Sequence, residues 1–298
     1  MQSLAPIVLF CYNRIDHLQK TVNALKANRL SEESTLIIYS DGYKGATDRV
    51  PVKRVQAYAR SISGFKNVEI HASDVNQGLA KSVIHGVGEV LGRFGKAIVL
   101  EDDIVTAPDF LEMMNDLLNS FESRNDIFSV TGFAPQIDMP SSYSKDFYLA
   151  PRASSWGWGT WHDRWQKVDW TASTFNKISK SPVLIEAFKS GGEDLWPMLV
   201  KQQRGVIDSW AVRWSLAHTL NAAYGVYPVR TKVVNIGTDG SGTNFNFSTD
   251  KYNDELYLNH LSLESSLRPD VKVIEAFKTS YKLPFLLKVK NFVKFRVI

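Results

Sequence analysis

Lys96-Ala97-Ile98-Val99-Leu100-Glu101-Asp102-Asp103-Ile104 runs from a short apolar segment straight into three adjacent carboxylates. Ala97 to Leu100 has no polar alternation, which suits a strand covered on both faces. Like charges this close repel, and taking them out of water makes the repulsion worse. The end of a buried strand is therefore a costly place for Glu101, Asp102 and Asp103 unless a cation is near. A hard divalent ion, Mn²⁺ or Mg²⁺, relieves the repulsion and also bridges to a diphosphate. A solvated acidic turn ahead of the next helix is the other reading, and the triplet alone leaves both open.

Upstream of this segment strands and helices alternate. Pro6 to Tyr12 (PIVLFCY), Thr35 to Ser40 (TLIIYS) and Asn67 to Ala72 read as strands, with Lys96 to Leu100 as the fourth. Asp16 to Ala27, with Leu18, Val22 and Leu25 at helical spacing, reads as a helix. So do Val50 to Ile62, with Pro51 in its first turn, and Gly78 to Leu91. The alternation predicts an α/β fold with a mainly parallel sheet and ligands at the carboxyl ends of its strands.

Downstream the character changes. Pro108 to Arg124 is an amphipathic helix and Ile127 to Gly132 a strand. Pro140 to Trp170 is rich in Ser, Gly and aromatics, with five of the eight tryptophans between Trp156 and Trp170. Helices are expected near Leu184 to Ser190, Asp194 to Arg204 and Trp210 to Tyr224. A late strand over Val229 to Ile236 precedes the Gly-rich Gly237 to Gly242. The pattern divides the chain into a nucleotide-binding half, 1–104, an acceptor half, 105–262, and a tail, 263–298.

The 298 residues, 44% of them apolar, suffice for one large core or two fused lobes. A net charge of +4 permits an anionic ligand and gives no reason to invoke nucleic acid. Cys11 stands alone, so no disulfide forms within the chain. The first residues enter a strand without a signal-like stretch, and the apolar runs are too short to cross a bilayer. A cytoplasmic protein is the expectation.

With its Leu-Glu-Asp-Asp ending strand four, then Ile104 and Pro108-Asp109-Phe110, the chain resembles GT-A glycosyltransferases. It is most similar to the branch containing N-acetylglucosaminyltransferase I and to small bacterial transferases of polysaccharide synthesis. The resemblance covers roughly 5–244. It implies a GT-A fold and a displacement reaction on a nucleotide sugar. In it Asp103 ligates the metal, Asp102 touches the ribose or sugar, and Glu101 belongs to the same donor site. Tyr12 and Arg14, in the turn Phe10-Cys11-Tyr12-Asn13-Arg14, cradle the nucleotide. Asp41, closing Ser40-Asp41-Gly42, is the acid expected to meet uracil, although by itself it is an ordinary turn former. Asn76 and Gly78, in Asn76-Gln77-Gly78-Leu79, lead into the helix lining the nucleotide site, and Lys81 is placed to meet a phosphate or to sit on the surface.

In the acceptor half, Trp156 and Trp158 offer flat faces for a sugar or fill the core. Asp208, before Trp210, matches the base that deprotonates the acceptor hydroxyl in inverting members; it also reads as an N-cap, and Glu193 and Asp194 compete for the role. Asn244 stands where similar bacterial enzymes often place a metal-ligating histidine. His218 and His260 have no assignable place. The expected donor is a UDP-sugar, with N-acetylglucosamine the family-weighted sugar, and the acceptor a glycan or lipid-linked hydroxyl. A nucleotidyltransferase of sugar phosphates and a non-catalytic carbohydrate-binding protein are the rival readings. Tyr281 to Ile298 carries five Lys or Arg among apolar residues and no acid. It reads either as a segment lying on an anionic membrane, peripheral to the inner face of the plasma membrane, or as a packed terminal helix with a solvated basic face.

Overall fold

The computed structural model describes residues 3–239, 255–295 and 297. Five apolar residues without a break form β1 (Ile7–Cys11), a strand with no exposed face. The first half then runs α1 (Ile15–Lys26), β2 (Thr35–Ser40), α2 (Ala46–Arg60), β3 (Asn67–Ala72), α3 (Leu79–Phe94) and β4 (Lys96–Glu101). β5 (Ile104–Thr106), α4 (Phe110–Ser120), β6 (Ile127–Thr131), β7 (Phe147–Ala150) and β8 (Trp158–Trp161) follow, then α5 (His162–Trp165), α6 (Phe175–Ile178), α7 (Pro182–Lys189), α8 (Leu195–Gln203) and α9 (Trp210–Leu220). The chain ends with β9 (Tyr224–Pro228), β10 (Val233–Asn235), α10 (Val271–Ser280) and α11 (Phe285–Phe295).

Among the described residues one sheet takes the order β3-β2-β1-β4-β8-β6-β9-β7, and β5 pairs with β10 in a separate ribbon. β3, β2, β1 and β4 are mutually parallel, as the alternating pattern predicts. The sheet does not stop at residue 104: β8 pairs antiparallel with β4 and then with β6. Gly159 makes this insertion possible, because a Cβ there would lie 2.9 Å from the carbonyl oxygen of Ala97.

Burial on both faces explains the apolar runs. Leu9, Ile38, Ile98 and Leu100 pack with Leu18 and Val22 of α1 and with Met114 and Leu118 of α4. Val8, Phe10, Ile37 and Val99 face Val83 and Val87 of α3 and Trp210 and Trp214 of α9. Each Leu or Ile so buried contributes about 1.5–3 kcal/mol.

Several boundaries differ from expectation; the late strand over Val229 to Ile236 is only β10, Val233–Asn235. α2 begins at Ala46, because the Asp48 carboxylate accepts the backbone N–H groups of Lys44 and Gly45 at 2.9 Å, so Pro51 lies inside the helix. α9 stops at Leu220, where Ala222 takes a positive φ of 48° and turns the chain into β9. The strands β5, β7, β8 and β9 were not expected from the sequence.

Candidate active site

Phe10 lies opposite Glu101 in the β1–β4 register, so the loop after β1 and the acidic triplet meet at the carboxyl ends of neighbouring strands. Arg14 spans two of the acids: its Nη2 donates to Asp102 Oδ1 at 2.5 Å and to Asp103 Oδ2 at 2.7 Å. The backbone of Asp102 is fixed by Thr21 Oγ1, which donates to its carbonyl at 2.8 Å. From the β5–β10 ribbon, Asn235 Nδ2 approaches Asp103 Oδ1 at 3.4 Å, and the N–H of Ile236 donates to the Asp103 carbonyl at 2.9 Å. Gly237 closes over the pair, with room for no side chain: a Cβ would come within 2.2 Å of Asp103 Oδ2 and 2.8 Å of Arg14 Nη1. That same Nη1 is buried and has no hydrogen-bond partner among the described residues.

These groups line a cleft of about 370 Å³ together with Tyr12, Asp41, Lys44, Asn76, Gly78, Ser155, Trp156 and Asp208. Burial and the charges of Asp103 and Asp102 push the Glu101 carboxyl well up. Burial also raises Asp102, and Arg14 only partly opposes it. The excess of buried negative charge and the all-oxygen donor set suit a hard divalent cation. Three oxygens of the triplet do not converge, so the fit is to an ion held by one or two carboxylates and completed by substrate phosphates, not to a closed protein cage. Among the described residues three ligand atoms converge within 4.8 Å only at Glu69, His71 and Glu89, a half-buried group on β3 and α3. There Arg93 already takes both Glu69 oxygens, at 2.7 and 2.8 Å, which marks an ion-pair network.

Asp41 is in the cleft but is engaged differently from expectation. Its oxygens accept the N–H groups of Gly42, Gln77 and Gly78 and the Asn76 side-chain amide, at 2.7–2.9 Å. Four bonds fill a carboxylate's acceptor capacity, so Asp41 pins the loop entering α3 instead of presenting free lone pairs to a base. Gly78, at φ 81°, supplies the left-handed turn there. Lys81 does not line this cleft. It is exposed on α3 beside a neighbouring hollow with Tyr39, His71 and His85. Tyr12 donates its hydroxyl to Asp48 and its backbone N–H to Asp102 Oδ2 at 3.4 Å. Burial and the Asp48 carboxylate raise the Tyr12 phenol to about 12.

A second groove of about 550 Å³ joins the cleft through Leu79, Glu101, Ser155, Trp156 and Asp208. Asp208 borders both hollows. Its side chain is 69% exposed and pairs with Arg213 Nη2 at 2.7 Å. The N-cap of α9 is Ser209, whose hydroxyl accepts from Val212, so Asp208 has no capping duty. The competitors are committed elsewhere: Asp194 forms a two-pronged pair with Arg152, and Glu193 holds Lys288 and the N–H of Leu283. The tryptophans divide. Trp156 lines both hollows, packed edge-on against Phe133 at 4.6 Å. Trp158 is only 1% exposed and stacks between Trp165 and Trp210, which corrects its expected contact with sugar. Trp210 is largely buried yet reaches the groove with one edge.

Asn235 and Gly237 were legible only as part of a Gly-rich stretch, and their contact with Asp103 was not foreseen. His218 is a core residue bonded to Ser129, and His260 borders a separate hollow with Asp109, Glu112 and Asp116. Asn244 lies outside the described residues.

Residues 7–185 match the family described as Glycosyl transferase family 2. The chain belongs to this family. The matched residues thus run from β1 into the first half of α7, with Arg14, Asp41 and the acidic triplet, while Asp208 and Trp210 lie beyond them. The mixed sheet with its parallel first half is the GT-A fold. No curated protein is significantly similar to the chain. Solved structures that match the chain include S. aureus TarS, 12% identical over 56% of this chain and 30% of that one, TM-score 0.36. TarS 1–349 is 11% identical over 75% and 60%, TM-score 0.37. A mannosyltransferase, PcManGT from Pyrobaculum calidifontis in complex with GDP-Man and Mn2+, is 11% identical over 55% and 48%, TM-score 0.36. The chain spans between 30% and 60% of the length of these structures.

Proposed function

We propose that this family 2 member is a metal-dependent, inverting glycosyltransferase. It moves a sugar from a nucleotide sugar, UDP-N-acetylglucosamine by resemblance, to a hydroxyl of a glycan or lipid-linked acceptor. The observation that carries the reading is the junction at Glu101 and Asp208, where a cleft holding Arg14, Asp102 and Asp103 opens into a second groove floored by Trp156. A donor and an acceptor meet at such a junction.

Asp103 would hold the divalent ion, which when bound neutralises charge on the leaving nucleoside diphosphate. Arg14 keeps Asp102 and Asp103 in place and brings a guanidinium to the donor side of the cleft. Tyr12 and the loop that Asp41 pins through Asn76 and Gly78 shape the nucleotide end. Trp156 offers its face to the sugar. Asp208, exposed at the junction, takes the proton of the acceptor hydroxyl as that oxygen attacks the anomeric carbon from the side opposite the nucleotide. Trp210 borders the acceptor behind it.

The test is hydrolysis of a panel of nucleotide sugars with Mn²⁺, with chelator, and by Asp103→Ala. UDP-sugars should be preferred, chelator should abolish turnover, and Asp103→Ala should lower it about 100-fold or more while the protein remains folded. Turnover that persists in chelator or in the variant overturns the metal reading. Sugar binding with no turnover on any donor returns the carbohydrate-binding alternative.

A further inference from the structure

α11 sits on the body inside out. Its inward side carries Asn291, 2% exposed, and Lys288, whose ammonium reaches Glu193 at 2.7 Å. Phe295 packs at its end against the cluster of Phe188, Leu199 and Val200. Arg204, the residue that caps the end of α8, donates to the carbonyls of Lys294 and Phe295 at 3.3 and 2.9 Å. A terminal helix packed for its own stability turns its apolar stripe to the core. This one turns it to water: Phe285, Leu286 and Val293 are 77%, 81% and 65% exposed.

At about 3.6 residues per turn, Phe285, Leu286, Val289, Phe292 and Val293 fall on one arc of about 120°. Lys290 and Lys294 flank one edge of that arc and Lys288 the other, and 281–298 contains no acid. Apolar side chains along the middle with lysines at both borders suit a helix lying in the plane of a lipid interface. The apolar arc enters the acyl boundary while the lysine stems reach up to anionic headgroups. A second copy of the chain offers no acid in this segment to meet those lysines. No helix among the described residues is long and apolar enough to cross a membrane, so attachment would be to the surface.

We propose that α11 docks the protein on an anionic membrane and holds the acceptor groove beside the lipid. The same α8 that carries α11 lines that groove with Leu195 and Met198. Tyr281, just before α11, borders the groove and lies under Arg152, 4.0 Å from its ring centre. An acceptor carried on lipid would reach the junction at Asp208 without leaving the surface. That the groove takes an acceptor rests on the glycosyltransferase reading; the docking of α11 does not.

Sedimentation of the full chain with vesicles tests it, in the absence of any donor. The protein should bind phosphatidylglycerol-rich vesicles, lose that binding at high salt, and ignore phosphatidylcholine vesicles. The double variant Leu286→Glu/Val293→Glu should bind at least about tenfold more weakly, because two apolar anchors are lost. Removal of Lys290 and Lys294 as glutamines should cost about fivefold each. Unchanged melting temperatures and unchanged donor hydrolysis show that both variants remain folded. Binding that is absent, equal on both lipids, or indifferent to the substitutions overturns the proposal. So does a dimer that Leu286→Glu/Val293→Glu dissolves while no vesicle is bound. Failure here leaves the transferase reading standing, and inactivity of Asp103→Ala leaves docking standing.

Discussion

The absent side chain of Gly237 is what lets Asp103 keep its position: a methyl group there would sit 2.2 Å from Oδ2 of the carboxylate. Asp103 cannot retreat, because its carbonyl is held by Ile236 and its other oxygen faces Asn235. Gly237→Ala therefore forces Asp103 and Arg14 apart. Displacement of a reacting group by about 1 Å costs on the order of 100-fold in rate. Donor hydrolysis by Gly237→Ala should fall by about that factor, with a weaker response to Mn²⁺ titration. Wild-type kinetics would remove Asp103 from the donor site.

Asp208 should behave as a chemical and not a structural residue. It is exposed, and the largely buried Arg213 keeps its bonds to the carbonyls of Ser209 and Trp170 without it, so the pair is worth at most about 1 kcal/mol. Asp208→Asn should leave the melting temperature and donor affinity in place while transfer to acceptor drops by about 10²–10⁴. Loss of donor affinity with transfer per bound donor unchanged would assign Asp208 to binding alone.

His218 makes stability depend on pH. Its ring is fully buried, donates Nδ1–H to the Trp214 carbonyl at 2.9 Å and meets Ser129 Oγ with Nε2 at 2.9 Å. Burial, opposed in part by the Trp214 carbonyl, lowers its pKa from 6.5 to about 4. Above pH 6.5 the ring is neutral in both states and its contribution is complete. As pH falls from 6.5 toward 4, the unfolded chain takes up a proton that the folded chain refuses. The contribution then shrinks by about 1.4 kcal/mol per pH unit, roughly 3 kcal/mol in all. Urea unfolding of wild type and His218→Asn across that range should show the wild type losing more stability by that amount. Parallel slopes would contradict a buried neutral imidazole.

β1, β2 and β4 were legible because each is a largely apolar run buried between helices, and the helices between the strands repeat the helical period; β3, the half-exposed edge strand, was placed by the alternation of elements around it. β8 was not, because Trp158-Gly159-Thr160-Trp161 gains its strand character from β4, a partner far along the chain. The acidic triplet and Arg14 announced themselves by charge at strand ends. The part played by Asp41 did not, since its partners at Asn76 to Gly78 are brought to it only by folding. Nor does spacing separate Trp156 from Trp158: alike in sequence, one faces the cleft and the other the core. The arc on α11 can be drawn from sequence, but which side of it meets the body depends on Glu193 and Arg204.

The place of β8 between β4 and β6 has a consequence for how the chain comes into being. During synthesis the parallel strands through β4 emerge before β8, and each then has its parallel partners already made. The outer rim of β4 then waits, its amide and carbonyl groups unmatched, until Trp158 to Trp161 has been made. An apolar rim left open in this way recruits other chains. A fragment ended after the acidic triplet would accordingly be a sticky folding intermediate, not a free-standing nucleotide module.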